Sequence, residues 1–108
     1  MPTDKSISRY LPLTESTCCI MLALTLPLHG YGVMQRVEEV SGGEVRIGPG
    51  TLYGALQALE KEGLIVRAGE QDRRKSYVLT PVGREVLAAQ IARLETIVKA
   101  GRSALGSA

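Results

Sequence analysis

The chain has no tryptophan, no phenylalanine, one histidine, and only two cysteines, Cys18 and Cys19, side by side. Each shortage excludes something. A lone histidine, His29, and a pair of adjacent thiols on another segment do not supply the spaced ligands of a metal site. The acids are scattered, with no carboxylate pair placed for general acid–base work. Adjacent cysteines pair poorly, because the single peptide between them strains a disulfide. Buried, reduced thiols are therefore expected, with a vicinal-dithiol sensor as the alternative. No apolar run reaches the roughly 18 residues that cross a bilayer. The start, Met1-Pro2-Thr3-Asp4-Lys5, lacks the charged-then-apolar layout of a secretion signal, so the expected compartment is the cytoplasm. Net charge is only +2, so the placement of cations matters more than their sum. Gly48-Pro49-Gly50 is not a phosphate loop, since Thr51-Leu52 follows in place of Lys-Ser/Thr. No catalytic residue, metal or cofactor is expected.

What remains, 108 residues, supports one domain with a modest core. Its organising stretch starts at the breaker cluster Gly48-Pro49-Gly50 and stops at Gly63, the residue type that ends helices in the left-handed conformation. In between, Leu52, Ala55, Leu56 and Leu59 recur at helical spacing and form one apolar stripe. The opposite face carries Thr51, Tyr53, Gly54, Gln57 and Lys61, with no carboxylate before Glu60. A merely solvated helix face normally mixes acids with bases. A slim, polar face free of acid at its N-terminal end suits close approach to an anionic polymer, and the helix N-terminus adds free N–H groups that favour phosphate. This helix is expected to read double-stranded DNA.

Residues 1–13 show little periodicity and are expected to form a flexible arm, with Lys5 and Arg9 available for phosphate. Thr14 is an N-cap candidate for a helix ending near Thr25, ahead of Pro27, and apolar nearly all round, hence the most buried of the domain. Leu28-His29-Gly30-Tyr31-Gly32 reads as a turn in which His29 caps or hydrogen-bonds the backbone. A second helix follows over 31–40, with Val33, Met34, Val37 and Val40 inward. Glu44-Val45-Arg46-Ile47 alternates like a short strand. Two helices followed by the reading helix make a helix-turn-helix.

Beyond Gly63 the period becomes that of strands. Residues 64–69 and 76–79 form a β-hairpin whose polar tip, 70–75, is crowned by Arg73, Arg74 and Lys75. Such a tip is usually just solvated; directly after a reading helix it extends the same surface. Thr80-Pro81 then starts a long helix, N-cap followed by proline at the first helical position. Over 81–105 it spaces Leu87, Ile91, Leu94, Val98 and Leu105 as a heptad seam, with Gly101 in the missing slot. Val82, Val86 and Ile97 give a second apolar edge. A single small domain does not easily bury both, so one edge is expected to meet a second copy. The divisions are thus an arm over 1–13, a winged helix-turn-helix over 14–80 and a dimerisation helix over 81–105, with a frayed end at Gly106-Ser107-Ala108.

His29-Gly30-Tyr31-Gly32-Val33-Met34, Gly50-Thr51-Leu52-Tyr53-Gly54-Ala55-Leu56 and Leu59-Glu60-Lys61-Glu62-Gly63-Leu64-Ile65 resemble the signature stretches of PadR-family transcriptional regulators. So does Arg73-Arg74-Lys75-Ser76-Tyr77-Val78-Leu79-Thr80-Pro81-Val82-Gly83. The likeness spans roughly 13–105 and rests on several motifs in the right order. It implies a mainly α fold with a small β-hairpin wing, acting as a homodimer on operator DNA, usually as a repressor, in a bacterial cytoplasm. The single C-terminal helix looks like the compact branch of the family. Residues matching Tyr31, Thr51, Tyr53 and Gly54, with the basic residues of the wing, lie at or near the DNA in that family. A small-molecule effector of unknown chemistry also comes with the resemblance. Compact members stack flat aromatic drugs on aromatic side chains near the dimer interface, and this final helix carries none. Asp72-Arg73, Leu79-Thr80 and Gly83 also echo the wing of MarR-type regulators. The alternative from another class is a winged-helix module that binds protein, which would carry an apolar patch on the reading helix in place of wing cations.

Overall fold

The computed structural model describes residues 5–71 and 73–106. Residues 1–4 of the expected arm, Asp72 of the wing and residues 107 and 108 of the expected frayed end lie outside the described residues, as do the side chains of Lys5 and Gln71.

Among the described residues, five helices and three strands follow in the order α1 (Lys5–Ser8), α2 (Glu15–Ala23), β1 (Leu28–His29), α3 (Gly30–Val40), α4 (Pro49–Lys61), β2 (Ile65–Gln71), β3 (Arg74–Leu79) and α5 (Pro81–Ala104). The strands form an antiparallel sheet in the order β1-β3-β2. The result is a winged helix-turn-helix, mainly α with a small sheet.

Local signals set most boundaries. The Thr14 hydroxyl accepts from the Thr17 N–H at 3.1 Å and opens α2. Thr80 does the same for α5, accepting from the Gly83 N–H at 3.0 Å with Pro81 behind it. Beyond α4, the Leu64 N–H reaches the Leu59 carbonyl and the Gly63 N–H that of Glu60, with Gly63 at φ 78°. This double closure needs a left-handed residue, which glycine supplies without strain.

The core lies where α2, α3, α4 and the start of α5 converge. Ile20, Met21 and Leu24 meet Val33 and Val37, then Leu52, Leu56 and Leu59, and finally Ile65, Leu79 and Val86. As expected, α2 is buried on most sides and α4 through its apolar stripe. The Leu79 N–H bonds the Leu24 carbonyl at 2.9 Å, tying the wing to the end of α2. At the same base of the hairpin the Thr80 hydroxyl donates to the Gly63 carbonyl at 2.7 Å. Gly83 packs directly on that junction: a Cβ there would stand 2.0 Å from the Leu64 carbonyl oxygen, so only glycine fits.

Several expectations are corrected. The arm is not loose from Lys5 onward: it forms α1, buries Ile7, lays Leu11 and Leu13 on the core, and anchors the Leu13 N–H to the buried Gln90 side chain at 2.8 Å. The turn read at 28–32 contains β1, whose Leu28 and His29 pair with Tyr77 and Ser76. Residues 44–47 form no strand; the Val45 N–H goes to the Ser41 hydroxyl at 2.9 Å. Val40 is exposed, one turn past the last contact of α3 with the core. The wing strands are longer than expected, so Arg74 and Lys75 are strand residues opposite Gln71 and Glu70, and Arg73 (φ 66°) occupies the turn. A bulge at Ala68 shifts the register between Arg67 and Gly69. Finally, Val86 and Leu87 are in the protomer's own core, so α5 begins inside the body rather than beyond a boundary at 81.

Candidate nucleic-acid interface

The polar face of α4 is assembled by helix geometry alone. Tyr53, Gln57 and Lys61 are four residues apart and stand in one exposed row, with Gly54 and Thr51 beside it. The N-terminus of α4 is capped by Gly48 without a side-chain hydrogen bond, and its first turn holds no acid. Its leading N–H groups are therefore offered outward, together with the positive end of the helix dipole.

Six of the residues singled out from sequence line one cleft of about 530 Å³: Tyr31 from the first turn of α3, Tyr53 and Gln57 from α4, and Arg73, Arg74 and Lys75 from the wing. Thr51 and Gly54 are exposed on α4 outside that cleft. Lys61 is exposed in the last turn, about 12 Å along the axis from Tyr53 by helical rise. Arg46, the cation just before α4, is paired with Glu38 at 3.1 Å. The cleft is cationic on the wing side, aromatic on the α3 side and apolar at its floor, where Leu56 lies.

Sequence reasoning missed four members of this cleft: His29, Gly30, Leu56 and Tyr77. Strand alternation would have found Tyr77, which shares a face with Lys75 and with the buried Leu79. His29 lies where its expected capping role puts it: its Nδ1 accepts the Gly32 N–H at 3.3 Å and caps α3. Gly30 gave no signal as a member of a turn. In space it lies under Tyr53, whose hydroxyl would be 2.9 Å from a Cβ at that position.

Among the described residues no group of three or more His, Cys, Asp or Glu comes together to hold a metal. Cys18 and Cys19 are free and buried. Burial pushes both thiols above their ordinary range, and neighbouring Glu15 adds to it; for Cys18 the adjacent thiol contributes as well. Burial thus disfavours the thiolate at both positions. No helix among the described residues is long and apolar enough to cross a membrane.

A second candidate surface runs along α5. Ile91 is half-buried against the core, whereas Leu94 (39% exposed), Ile97 (66%), Val98 (50%) and Leu105 (85%) are open. Ile91, Leu94 and Val98 line a shallow groove of about 470 Å³, edged by Glu95, Lys99 and Arg102. Of the five seam residues, Leu87 is buried in its own protomer and Ile91 is shared with its core, while Leu94, Val98 and Leu105 are open.

The chain resembles the transcriptional regulator Rv3488 of Mycobacterium tuberculosis, with 36% identity over 75 residues, 67% of each chain. It is 49% identical over 61 residues to an uncharacterized 37.1 kDa protein of transposon TN4556 from Streptomyces fradiae; those cover 56% of this chain but only 17% of that protein. Among solved structures, a transcriptional regulator from Clostridium thermocellum superposes with a TM-score of 0.67 at 25% identity, over 95% of this chain and 97% of the other. These are transcriptional regulators and not enzymes where their function is named. The model of the transcriptional regulator PadR-like family matches residues 20–89, and the chain belongs to that family.

Proposed function

We propose that the protein binds an inverted-repeat operator as a homodimer and represses transcription from it, in the cytoplasm of a bacterium, without metal or cofactor. The exposed row of α4 enters the major groove, where Gln57 pairs with an adenine edge and Thr51 meets a thymine methyl or a phosphate. Tyr31, Tyr53 and the wing cations Arg73, Arg74 and Lys75 hold the flanking phosphates, which sets affinity and register. Lys61, farther along α4, reaches the backbone at the groove's edge.

One observation carries this reading: the acid-free face of the reading helix and all three wing cations open onto the same cleft. A protein-binding winged helix would need an apolar patch on α4, and Thr51, Tyr53, Gly54 and Gln57 occupy that face instead. The second copy meets α5 through Ile91, Leu94 and Val98. Stacking of a flat aromatic effector there has no aromatic side chain to use, so any effector binds by other chemistry.

Selection of bound duplexes from random-sequence DNA tests the proposal. The expected product is an inverted repeat with half-sites about one helical turn, or a multiple of it, apart. Recovery of no enriched sequence, at salt low enough for general binding, would overturn sequence-specific recognition. A single unrepeated site would overturn the dimeric mode alone.

A further inference from the structure

Gly30 is the first residue of α3, buried, and outside the left-handed region, so its backbone does not need glycine. What surrounds it does. A Cβ at this position would stand 2.9 Å from the Tyr53 hydroxyl and 3.3 Å from two ring atoms, closer than carbon and oxygen settle without displacement. Tyr53 comes from α4, and its ring is laid across the bare α-carbon at the start of α3 while more than half of the residue stays open to solvent. Tyr31, the next residue of α3, is likewise exposed and borders the same cleft. The two tyrosines thus flank a joint between helices that is closed by a missing side chain.

We propose that Gly30 is a positioning residue for DNA recognition, its hydrogen in place of a side chain seating the Tyr53 ring so that the hydroxyl faces the DNA backbone. This rests on the reading of Tyr53 as a DNA contact. The atoms in conflict belong to the far end of a side chain that can swing away, so a methyl group here moves Tyr53 and leaves the helices where they are. The fold is then kept while the geometry of recognition is lost.

The experiment is a double-mutant cycle on Gly30→Ala and Tyr53→Ala, read by anisotropy on a labelled duplex taken from the random-sequence selection, with denaturant unfolding of each variant alongside. Gly30→Ala is expected to weaken binding about tenfold, the scale of one hydrogen bond to a charged group, with unfolding hardly changed. Tyr53→Ala is expected to weaken binding at least as much, and adding Gly30→Ala to it to cost nothing further, because the displaced ring is gone. In the free protein, the magnetisation contact between the Gly30 α-protons and the Tyr53 ring should be strong in the wild type and absent in Tyr53→Ala. Tyr53→Ala binding like wild type would overturn the reading of Tyr53 and this inference with it. Tyr53→Ala binding weakly while Gly30→Ala binds like wild type, or the two losses simply adding, would overturn the role of Gly30 alone. Should Gly30→Ala fail to fold by itself, recovery of the fold in the double variant would still demonstrate the conflict with Tyr53, and no recovery would refute it.

Discussion

Glycines at ordinary helical backbone angles show how differently one residue type can be required. Gly83 has a carbonyl oxygen where its side chain would be, and Gly30 has the ring of Tyr53. Gly54 has nothing: a Cβ there would meet no atom within 4 Å, and the residue is exposed in the middle of α4. A glycine in a helix interior costs about 1 kcal/mol relative to alanine. Among the described residues nothing would meet a Cβ at Gly54, and a duplex surface drawn close against α4 is the reading that fits the cleft beside it. Gly54→Ala is therefore expected to raise stability by about 0.5–1 kcal/mol while lowering DNA affinity several-fold. Denaturant unfolding and anisotropy on the same preparation check both signs. A variant that is more stable and binds as well as the wild type would show that DNA does not approach Gly54. None of these three reasons is visible in sequence, because a glycine is written the same way whether space is lacking or merely unused.

At the scale of elements, what could be read from sequence is what repeats or punctuates. The stripe of α4, the Thr80-Pro81 start, the Gly63 stop and the apolar α2 all carry their signal within a few residues, and each lies where the spacing puts it. What escaped was decided elsewhere in the chain. Leu28 and His29 become a strand only because Tyr77 and Ser76 lie alongside, and two residues have no period to detect. Residues 44–47 alternate but have no strand beside them, so the backbone bonds to Ser41. Ile7 is buried because α1 packs against α5, far along the sequence. The wing tip misled through composition: a run of cations looks like a loop, yet an exposed hairpin accepts cations, and of the three only Arg73 is left outside the strands. Strand pairing restrains the backbone at Arg74 and Lys75 more than a six-residue loop would. Replacing Arg73 and Arg74 by Ala is expected to weaken binding to all duplexes about equally and to flatten the dependence of log affinity on log salt by roughly one unit per lost phosphate contact. Titrations at several salt concentrations measure this. Unchanged affinity and slope would mean that the wing does not clamp phosphate.

At the scale of the molecule, the question is why a 24-residue helix should extend so far past its own domain. It is about 36 Å long by helical rise, and only its first three turns bury side chains in the body. From Ala92 on, every described residue except Gly101 is exposed, including four large apolar ones, Leu94, Ile97, Val98 and Leu105. An isolated helical half of this kind, with a groove of about 470 Å³ along it, is expected to be covered by a second copy. Two reading helices held about 34–36 Å apart then occupy successive major grooves on one face of the duplex. Tethering makes the second contact intramolecular, which can raise affinity by about 10²–10⁴ without a new interaction. The choice of test residues follows from burial. Leu87 and Ile91 also serve the protomer's core, so changing them would confuse unfolding with dissociation. Leu94 and Val98 are open, and substituting both by Glu should leave the winged helix folded while placing like charges across the dyad. Each of these side chains, if fully covered by the partner, is worth about 1.5–3 kcal/mol. The expected variant sediments as a monomer, unfolds cooperatively, keeps weak salt-dependent binding to any duplex, and loses specific binding at concentrations where the wild type saturates. A variant that still sediments as a dimer would place the interface off this seam. A monomer that holds the operator with wild-type affinity would remove the need for two half-sites altogether.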